Sequence, residues 1–325
     1  MQLQSIIHYV HNKQLTTEYP ETKVAIIGTG AHKPIIDALT QLYVHQHNTP
    51  IVYTECPENV ATDLVNQCIQ KNIVAIVVGN ARFTPDENPF SVSVVAPSAN
   101  VKTQEPYKTI LENSHLDLFS VIGFQTYNTS SNDITWLQEH YYETLRLGAF
   151  RENFALAEPL LRESNHVFFD LNALRACDAP EIRQPSPNGL YAEEMCQLAT
   201  FAGRAPKLKT FRLFGYIPTL SPHTLVAQIA AQVLWHLLEG IAVHHQFNIP
   251  NTINTHIKKI IVDMGENGQA LEFLNDTLTQ HWWLQIPITN GEYRYVACLR
   301  EDYECACNRE VPARWLQYFQ KFNTK

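Results

Sequence analysis

The chain has 325 residues and a mass of 37.1 kDa, and 45% of its residues are hydrophobic, enough to bury a large core. This composition excludes a mainly disordered protein. Lys and Arg number 24 against 32 Asp and Glu, which leaves a net charge of -8 at pH 7. A nucleic-acid-binding protein needs a basic surface to neutralise phosphates, so we expect no nucleic-acid partner.

The sequence also argues against membranes and disulfides. No apolar run approaches the roughly 18 residues of a membrane span, and residues 1–23 contain Gln, Asn, His and Lys where a signal peptide would be apolar. The seven cysteines are odd in number and scattered through apolar segments, so no disulfide framework is predicted. We expect a cytoplasmic protein that does not bind membranes.

Short β-branched segments alternate with longer amphipathic ones in the first half of the chain and beyond it, which predicts an α/β protein with a mainly parallel sheet. The predicted strands are Val24–Ile27, Ile51–Thr54, Ile73–Val78, Phe90–Val95, Leu118–Ile122, His166–Leu171 and Leu208–Phe214. The predicted helices are Pro34–Val44, Val60–Gln70, Tyr107–Glu112, Ile134–Phe150, Glu152–Arg162, Leu190–Phe201 and His223–His244.

After Pro250 the pattern changes to short strands separated by turn-forming residues, which predicts an antiparallel β appendage. Its predicted elements are the strands Ile257–Val262, Ala270–Leu274, Trp282–Ile286 and Tyr293–Cys298, and the helices Glu301–Arg309 and Pro312–Phe322. We therefore expect an α/β/α domain over residues 1–250 and a β-rich extension over residues 251–325 that packs on it.

One glycine-rich turn follows the first predicted strand. Gly28-Thr29-Gly30 is similar to a dinucleotide-binding turn, and Glu55 ends the next strand, where such sites place a ribose acceptor. The third glycine of that motif is missing. A plain strand-to-helix turn is therefore the simpler interpretation.

The most informative segment is Val167–Pro180, in which a buried strand ends at Asp170 and continues into a loop with Asn172 and Asp178. The carboxyl ends of parallel strands are where α/β proteins place their chemistry. A lone carboxylate cannot hold a metal ion, so partners would have to come from other strand ends.

This segment resembles the third metal-binding motif of the ureohydrolase superfamily (arginase, agmatinase, formimidoylglutamase), in which a strand ends Ser-x-Asp-x-Asp before a loop and a helix. Ile122–Tyr127, Asp178–Glu194 and Glu301–Trp315 look like a bacterial formimidoylglutamase-like branch with a C-terminal β-rich extension, and Gly30–Leu39 looks like a shortened first strand-to-helix segment. The resemblance implies a three-layer α/β/α arginase-like fold with a small antiparallel β appendage and a terminal helix.

Active members of this superfamily hold two manganese ions with His and Asp side chains from three motifs, and the metals share a hydroxide that attacks the substrate carbon. In the first motif, which falls on Val78–Arg82, Ala81 stands in place of the ligand His. In the second, Ala96, Ser98 and Asn100 replace three ligands. In the third, Asp170 is kept and Asn172 replaces the second carboxylate.

A two-metal site needs several anionic oxygens, so the resemblance implies that the metal site is lost and that no cofactor is bound. Gly215 stands where the family keeps a glutamate for the cationic group of the substrate. Arg82 would either bind a small anion or neutralise Asp170. No catalytic residue is assigned, and we call the following set the relic pocket: Ala81, Arg82, Ala96, Ser98, Asn100, Asp170, Asn172, Asp178 and Gly215.

Three functions stay open. The first is a pseudoenzyme that kept the scaffold and binds a ligand or a protein partner, either a second copy of itself or an active paralogue. The second is a manganese-dependent hydrolase of linear amidine C–N bonds in which other residues rebuild the site; no Asp-x-His-x-Asp arrangement lies at another predicted strand end. The third is a structural subunit, which predicts an exposed apolar patch formed by Trp282, Trp283, Trp315, Tyr318 and Phe319.

Overall fold

The structure is a computed structural model. It describes residues 2–12, 15, 17–30, 32–46, 49–84, 88–101, 107–182, 184–216, 225–243, 256–265, 270–289 and 291–323.

Within these residues, nine strands form one sheet in the order β1-β3-β2-β4-β9-β8-β5-β6-β7, and every pairing is parallel. The strands are β1 (Ile7–Tyr9), β2 (Val24–Gly28), β3 (Ile51–Glu55), β4 (Val74–Val78), β5 (Phe90–Val95), β6 (Leu116–Phe124), β7 (Glu143–Arg146), β8 (His166–Asp170) and β9 (Thr210–Phe214). The predicted parallel sheet is confirmed. β1 was not predicted, because three residues at an edge give too short a pattern.

Helices cover both faces of the sheet. They are α1 (Lys33–Thr40), α2 (Glu58–Gln70), α3 (Tyr107–Leu111), α4 (Ser131–Glu139), α5 (Leu147–Glu152), α6 (Ala157–Arg162), α7 (Ala192–Arg204) and α8 (Leu225–Val243). On the first face, α1, α5, α6, α7 and α8 share one apolar core with the strands. On the second face, α2 covers one cluster, and α3 with α4 covers another. The three-layer architecture is confirmed.

Helix α8 is long and apolar enough to span a membrane by length and composition, contrary to the expectation from the sequence. It is the core helix of the first face, and its leucines, valines and alanines pack against α7 and α1. Gly203 of α7 and Gly240 of α8 let the two backbones meet, since a Cβ on Gly203 would lie 3.0 Å from the Gly240 Cα. Burial inside the fold therefore accounts for its composition.

The prediction of one helix over Ile134–Phe150 is wrong. The chain forms α4, reverses at Tyr141 with a φ of 54°, forms the edge strand β7 and then starts α5. Only Leu145 of β7 is buried. An edge strand with one buried side chain shows no period-two pattern, so the apolar spacing of its neighbours suggested a continuous helix.

The C-terminal part forms the predicted antiparallel sheet, in the order β10-β11-β12-β13, followed by two helices. The elements are β10 (Ile257–Val262), β11 (Leu271–Asp276), β12 (Trp282–Pro287), β13 (Tyr293–Cys298), α9 (Arg300–Cys307) and α10 (Ala313–Asn323). Arg162 of α6 donates to the carbonyl oxygens of Trp282 and Cys298, so the extension packs on the body. The predicted domain boundary at residue 250 and the end of the predicted helix at His244 lie outside the described residues.

The aromatic residues assigned to an exposed patch are mostly inside the extension. Trp283 and Tyr318 are buried, Trp282 stacks on Tyr303 with ring centroids 4.7 Å apart, and Trp315 stacks on Phe319 at 4.8 Å. These contacts favour core packing over a docking patch.

Candidate functional site

Asp170 ends β8, and the backbone turns after it so that Asn172 folds back onto the carboxylate. Asp170 Oδ1 accepts hydrogen bonds from the backbone N–H of Asn172 at 2.9 Å and from its Nδ2 at 2.6 Å. The Oδ1 of Asn172 accepts from the backbone N–H of Gln184 at 2.9 Å. Burial raises the pKa of Asp170 to about 6, against the lowering effect of the hydrogen bonds from Asn172. Both ends of the Asn172 amide are therefore engaged in holding the loop.

Gly215 follows β9, the neighbour of β8, and touches this pair. Its φ is +90°, and a Cβ built on it would lie 2.5 Å from Asp170 Oδ1 and 2.8 Å from Asn172 Nδ2. The Asp170–Asn172 pair thus fills the space that a side chain at position 215 would need. A side chain at position 215 is therefore incompatible with the Asp170–Asn172 pair as it lies here.

The second motif lies at the end of β5. Ala96 is buried, Ser98 is half-buried, and Asn100 uses both ends of its amide in loop contacts. Asn100 Nδ2 donates to the Asn128 carbonyl at 2.9 Å, and its Oδ1 accepts from the Ser130 N–H at 2.8 Å. Asn100 therefore pins the loop after β6.

Asp178 anchors the start of α7. It forms an ion pair with Arg175 at 2.9 Å, and its Oδ2 accepts from the backbone N–H of Ala192 at 3.0 Å. The hydrogen bond from Arg175 lowers the pKa of Asp178. This arrangement explains Asp178 as a helix anchor.

Ala81 and Arg82 follow β4. Ala81 is half-buried, whereas Arg82 is exposed, and among the described residues no ion pair joins Arg82 to Asp170. The carbonyl oxygen of Ala81 accepts from Arg212 of β9 at 3.0 Å. The hydrogen bonds of the relic-pocket residues thus run to several local arrangements.

Two cavities open near the carboxyl ends of β4 and β9. The larger has a volume of about 500 Å³, and its lining includes Ala81, Arg82 and Arg212. The smaller has about 180 Å³ and includes Gly215 and His32. Three residues line both, namely Glu58, Gly79 and Asn80. Asp170, Asn172, Ala96, Ser98, Asn100 and Asp178 belong to neither lining within the described chain.

Arg212 is the residue of this site that the sequence analysis missed. It is 4% exposed and lies in the middle of β9, where both faces of the sheet are covered by helices. Strands buried on both faces are normally apolar throughout. The charged residue inside Thr210–Phe214 is therefore a signal in the sequence, although it does not lie at a strand end.

The glycine-rich turn after β2 is filled by His32, whose ring lies against Gly28. His32 Nε2 is 2.9 Å from the Tyr53 hydroxyl, which donates to Glu55 at 2.6 Å. Glu55 is thus already hydrogen-bonded by Tyr53 of the same strand. The plain strand-to-helix turn fits this arrangement better than a ribose site.

The described fold is similar to solved structures of one superfamily. Trypanosoma cruzi formiminoglutamase matches with a TM-score of 0.64 and 15% identity, over 75% of this chain and 99% of that one. Bacillus subtilis formimidoylglutamase matches with 0.62 and 14%, over 75% and 92%. The agmatine ureohydrolase of Thermoplasma volcanium matches with 0.55 and 13%, over 76% and 99%. The chain has the arginase-like fold.

The sequence comparisons are weaker. The curated formimidoylglutamase of Bacillus subtilis is 22% identical over 140 residues, which span 41% of this chain and 43% of that protein. The aligned part is thus less than half of that relative. No protein-family model matches the chain. At these identities the comparisons establish the arginase-like fold but not the activity.

The donor atoms of this arginase-like site do not suit a two-metal centre. Across the described residues, no group of three or more His, Cys, Asp or Glu side chains is placed to hold a metal ion. Asp170 supplies the one carboxylate at the positions that the resemblance assigns to metal ligands, and Ala81 and Ala96 supply no side-chain donor. Two divalent cations would lack the anionic ligands that offset their charge.

Proposed function

We propose that this chain is a catalytically inactive arginase-like protein that has kept its scaffold for binding. The observation that carries this proposal is the engagement of the retained carboxylate. Asp170 is hydrogen-bonded twice by Asn172, at 2.6 and 2.9 Å, and the Asn172 oxygen accepts from Gln184. To bind a metal ion, Asp170 Oδ1 and Asn172 Oδ1 would have to point at the ion instead of accepting these hydrogen bonds.

The set of nearby donors supports the same proposal. No His or carboxylate of the described chain stands with Asp170 in a metal-binding group. Without a second anionic ligand, the hydroxide that hydrolyses a C–N bond in a two-metal mechanism has no site on which to form.

The binding function that we propose leaves two kinds of partner. One is a small anionic ligand, since two arginines line the larger cavity. The other is a protein partner, either a second copy of this chain or a catalytically active paralogue in a mixed oligomer, in the cytoplasm. The alternative activity is metal-dependent hydrolysis of a linear amidine.

The test is a measurement of manganese content together with activity. The protein is dialysed against manganese, then against buffer, and analysed for metal by elemental analysis, with the melting temperature followed with and without the ion. Release of product from formimidoylglutamate, agmatine and arginine is measured alongside Bacillus subtilis formimidoylglutamase as the positive control. We expect less than about 0.1 equivalent of manganese per chain, no manganese-induced shift of the melting temperature and no hydrolysis.

Stoichiometric manganese with hydrolysis would establish the amidine hydrolase and refute the proposal. Manganese bound without hydrolysis would refute the argument from the Asp170 ligand set while leaving the protein inactive toward these substrates. A variant with Asp170→Ala distinguishes these cases, because a genuine site at this strand end would lose its metal with that carboxylate.

A further inference from the structure

A buried charged residue lies between the two apolar clusters on the second face of the sheet. The cluster under α2 contains Val77 of β4, and the cluster under α3 and α4 contains Phe168 of β8. Arg212 of β9 is in register with both of these residues, so it lies between the two clusters. The larger cavity opens at this position and is lined by Arg212, Phe168 and Phe83. A buried cation thus forms part of the wall of the larger cavity.

The guanidinium of Arg212 is held at one end only. Its Nη1 donates to the carbonyl oxygen of Ala81 at 3.0 Å and, more weakly, to that of Arg82 at 3.5 Å. Its Nε is buried and has no hydrogen-bond partner. Its Nη2 makes no hydrogen bond with the described chain and is not among the solvent-inaccessible unpaired atoms. At least one donor nitrogen thus remains available on a side chain that lines the cavity.

Within the part of the chain that the structure describes, the positive charge of Arg212 also lacks an anionic partner. None of the ion pairs between described residues includes it. Besides the two carbonyl oxygens, it faces the π-faces of two rings, with the guanidinium carbon 5.3 Å from the Phe83 centroid and 5.6 Å from that of Phe168. Burial lowers the pKa of Arg212 to about 10, which still leaves it charged at neutral pH. An unpaired buried charge is costly, and an anion in the cavity would offset that cost.

The other residues that line the cavity indicate which kind of anion would fit it. Phe83, Phe168 and Phe214 give it an apolar wall, and the Asn80 side chain adds a polar group. Arg82 is exposed and also lines the cavity, whereas the Glu58 carboxylate would repel an anion from its own part of the wall. A planar anionic group suits a guanidinium, and an apolar body suits the phenylalanines.

We propose that the larger cavity binds a small organic carboxylate, with the carboxylate on Arg212 and an apolar body against Phe83, Phe168 and Phe214. This inference rests on the proposed binding function and gives it a site and a ligand class. A guanidinium recognises the planar carboxylate through charge-assisted hydrogen bonds, which are stronger in a site that excludes water. The sequence had pointed to Arg82; the structure shifts the main anchor to Arg212.

The experiment measures binding to the full chain in EDTA, so that any metal site is silent. Isothermal titration and thermal shift are run with benzoate and phenylacetate, and with their neutral counterparts benzamide and phenylacetamide. Inorganic phosphate serves as an anion without an apolar body. We expect the carboxylates to bind at least about tenfold more tightly than the amides, corresponding to one charge-assisted contact, and phosphate to bind more weakly than benzoate.

Three arginine variants supply the residue-level test. Arg212→Met removes the charge but keeps an apolar chain of similar length, and we expect it to weaken benzoate binding at least about thirtyfold. Arg300→Met is the matched control, because Arg300 is an exposed helical arginine paired with Glu304, and its binding should equal that of the wild type. Arg212→Lys keeps the charge without the planar fork and should give an intermediate loss.

The outcomes separate this inference from the proposed function. Equal binding of benzoate and benzamide by the wild-type protein, or no binding of either carboxylate at millimolar concentration, would overturn the inference without requiring any variant to fold. Unchanged benzoate binding by a folded Arg212→Met protein would overturn it as well. Tight phosphate binding with no benzoate binding would refute the proposed contact between the apolar part of the ligand and the phenylalanines. Hydrolysis with manganese would instead refute the inactive function and leave the carboxylate measurement in EDTA unaffected.

Discussion

Replacing Asp170 by Asn distinguishes a metal ligand from a buried carboxylate that serves no ion. In the structure, Asp170 Oδ1 accepts two hydrogen bonds from Asn172, and an amide oxygen at the same place can accept both. The substitution therefore keeps the local contacts and removes only the buried charge. In a metalloenzyme the same change would remove a ligand and destabilise the loaded protein.

The expected magnitude comes from the pKa of Asp170. An unperturbed Asp has a pKa of about 3.9, whereas burial raises that of Asp170 to about 6. A shift of about 2 units corresponds to about 3 kcal/mol of destabilisation once both states are ionised. Because Asp170 is only half-buried by surface area, solvent reduces this value, and we expect about 1–2 kcal/mol.

The direction of the pKa shift determines the pH range in which the stability changes. Because the folded state raises the pKa of this acid, its ionisation opposes folding, so the wild-type protein loses stability as pH rises from about 4 to about 6. Asp170→Asn removes this dependence. The variant should be more stable than the wild type by about 1–2 kcal/mol at pH 7.5, with the difference vanishing toward pH 4.

The assay is urea denaturation followed by tryptophan fluorescence at several pH values between 4.5 and 7.5. Asp178→Asn is the control of opposite sign, because Arg175 lowers the pKa of Asp178 and its ionised form stabilises the fold. That variant should be less stable at pH 7.5, with the loss shrinking only as pH falls through the lowered pKa of Asp178. An Asp170→Asn protein that is less stable at pH 7.5, or that loses a manganese-induced stabilisation seen in the wild type, would refute the reasoning.

Three further substitutions test the packing that positions the site. Gly215→Ala should lower the free energy of unfolding by at least about 2 kcal/mol, since strain at positive φ adds to a clash with Asp170; Gly30→Ala, at a φ of +59° with open space around it, measures the strain alone. Gly203→Ala should cost about 1–3 kcal/mol by forcing α7 from α8, whereas Gly148→Ala, which meets nothing within 4 Å, should be neutral or stabilising in the same thermal melts. Arg162→Met removes the 2.9 Å partner of the half-buried Glu158 and leaves it His281 at 3.2 Å, so a loss of about 2–4 kcal/mol in urea is expected. A loss under about 1 kcal/mol would show that the pair is dispensable.

Local patterns determined the parallel sheet, because buried strands such as Val74–Val78 carry uninterrupted apolar runs that need no knowledge of their neighbours. The same applies to the antiparallel extension, whose turns lie between short alternating strands. That Ala81 and Ala96 offer no side-chain donor to a metal ion was also predictable, since an alanine side chain cannot bind an ion in any fold. The edge strand β7 was not predictable, because one buried residue, Leu145, gives no period.

Only the tertiary structure decided what the remaining polar residues do. Asn100, Asp178 and Asn172 each occupy a position that the resemblance assigned to one pocket, yet their hydrogen bonds run to separate loops and a helix start. Arg212 shows the converse: it lies far in sequence from Phe83, and register alone places it beside Phe168 at the wall of a cavity. Sequence specifies which groups a chain carries, whereas their distances and burial, which set their charge and their partners, arise only when distant segments pack together.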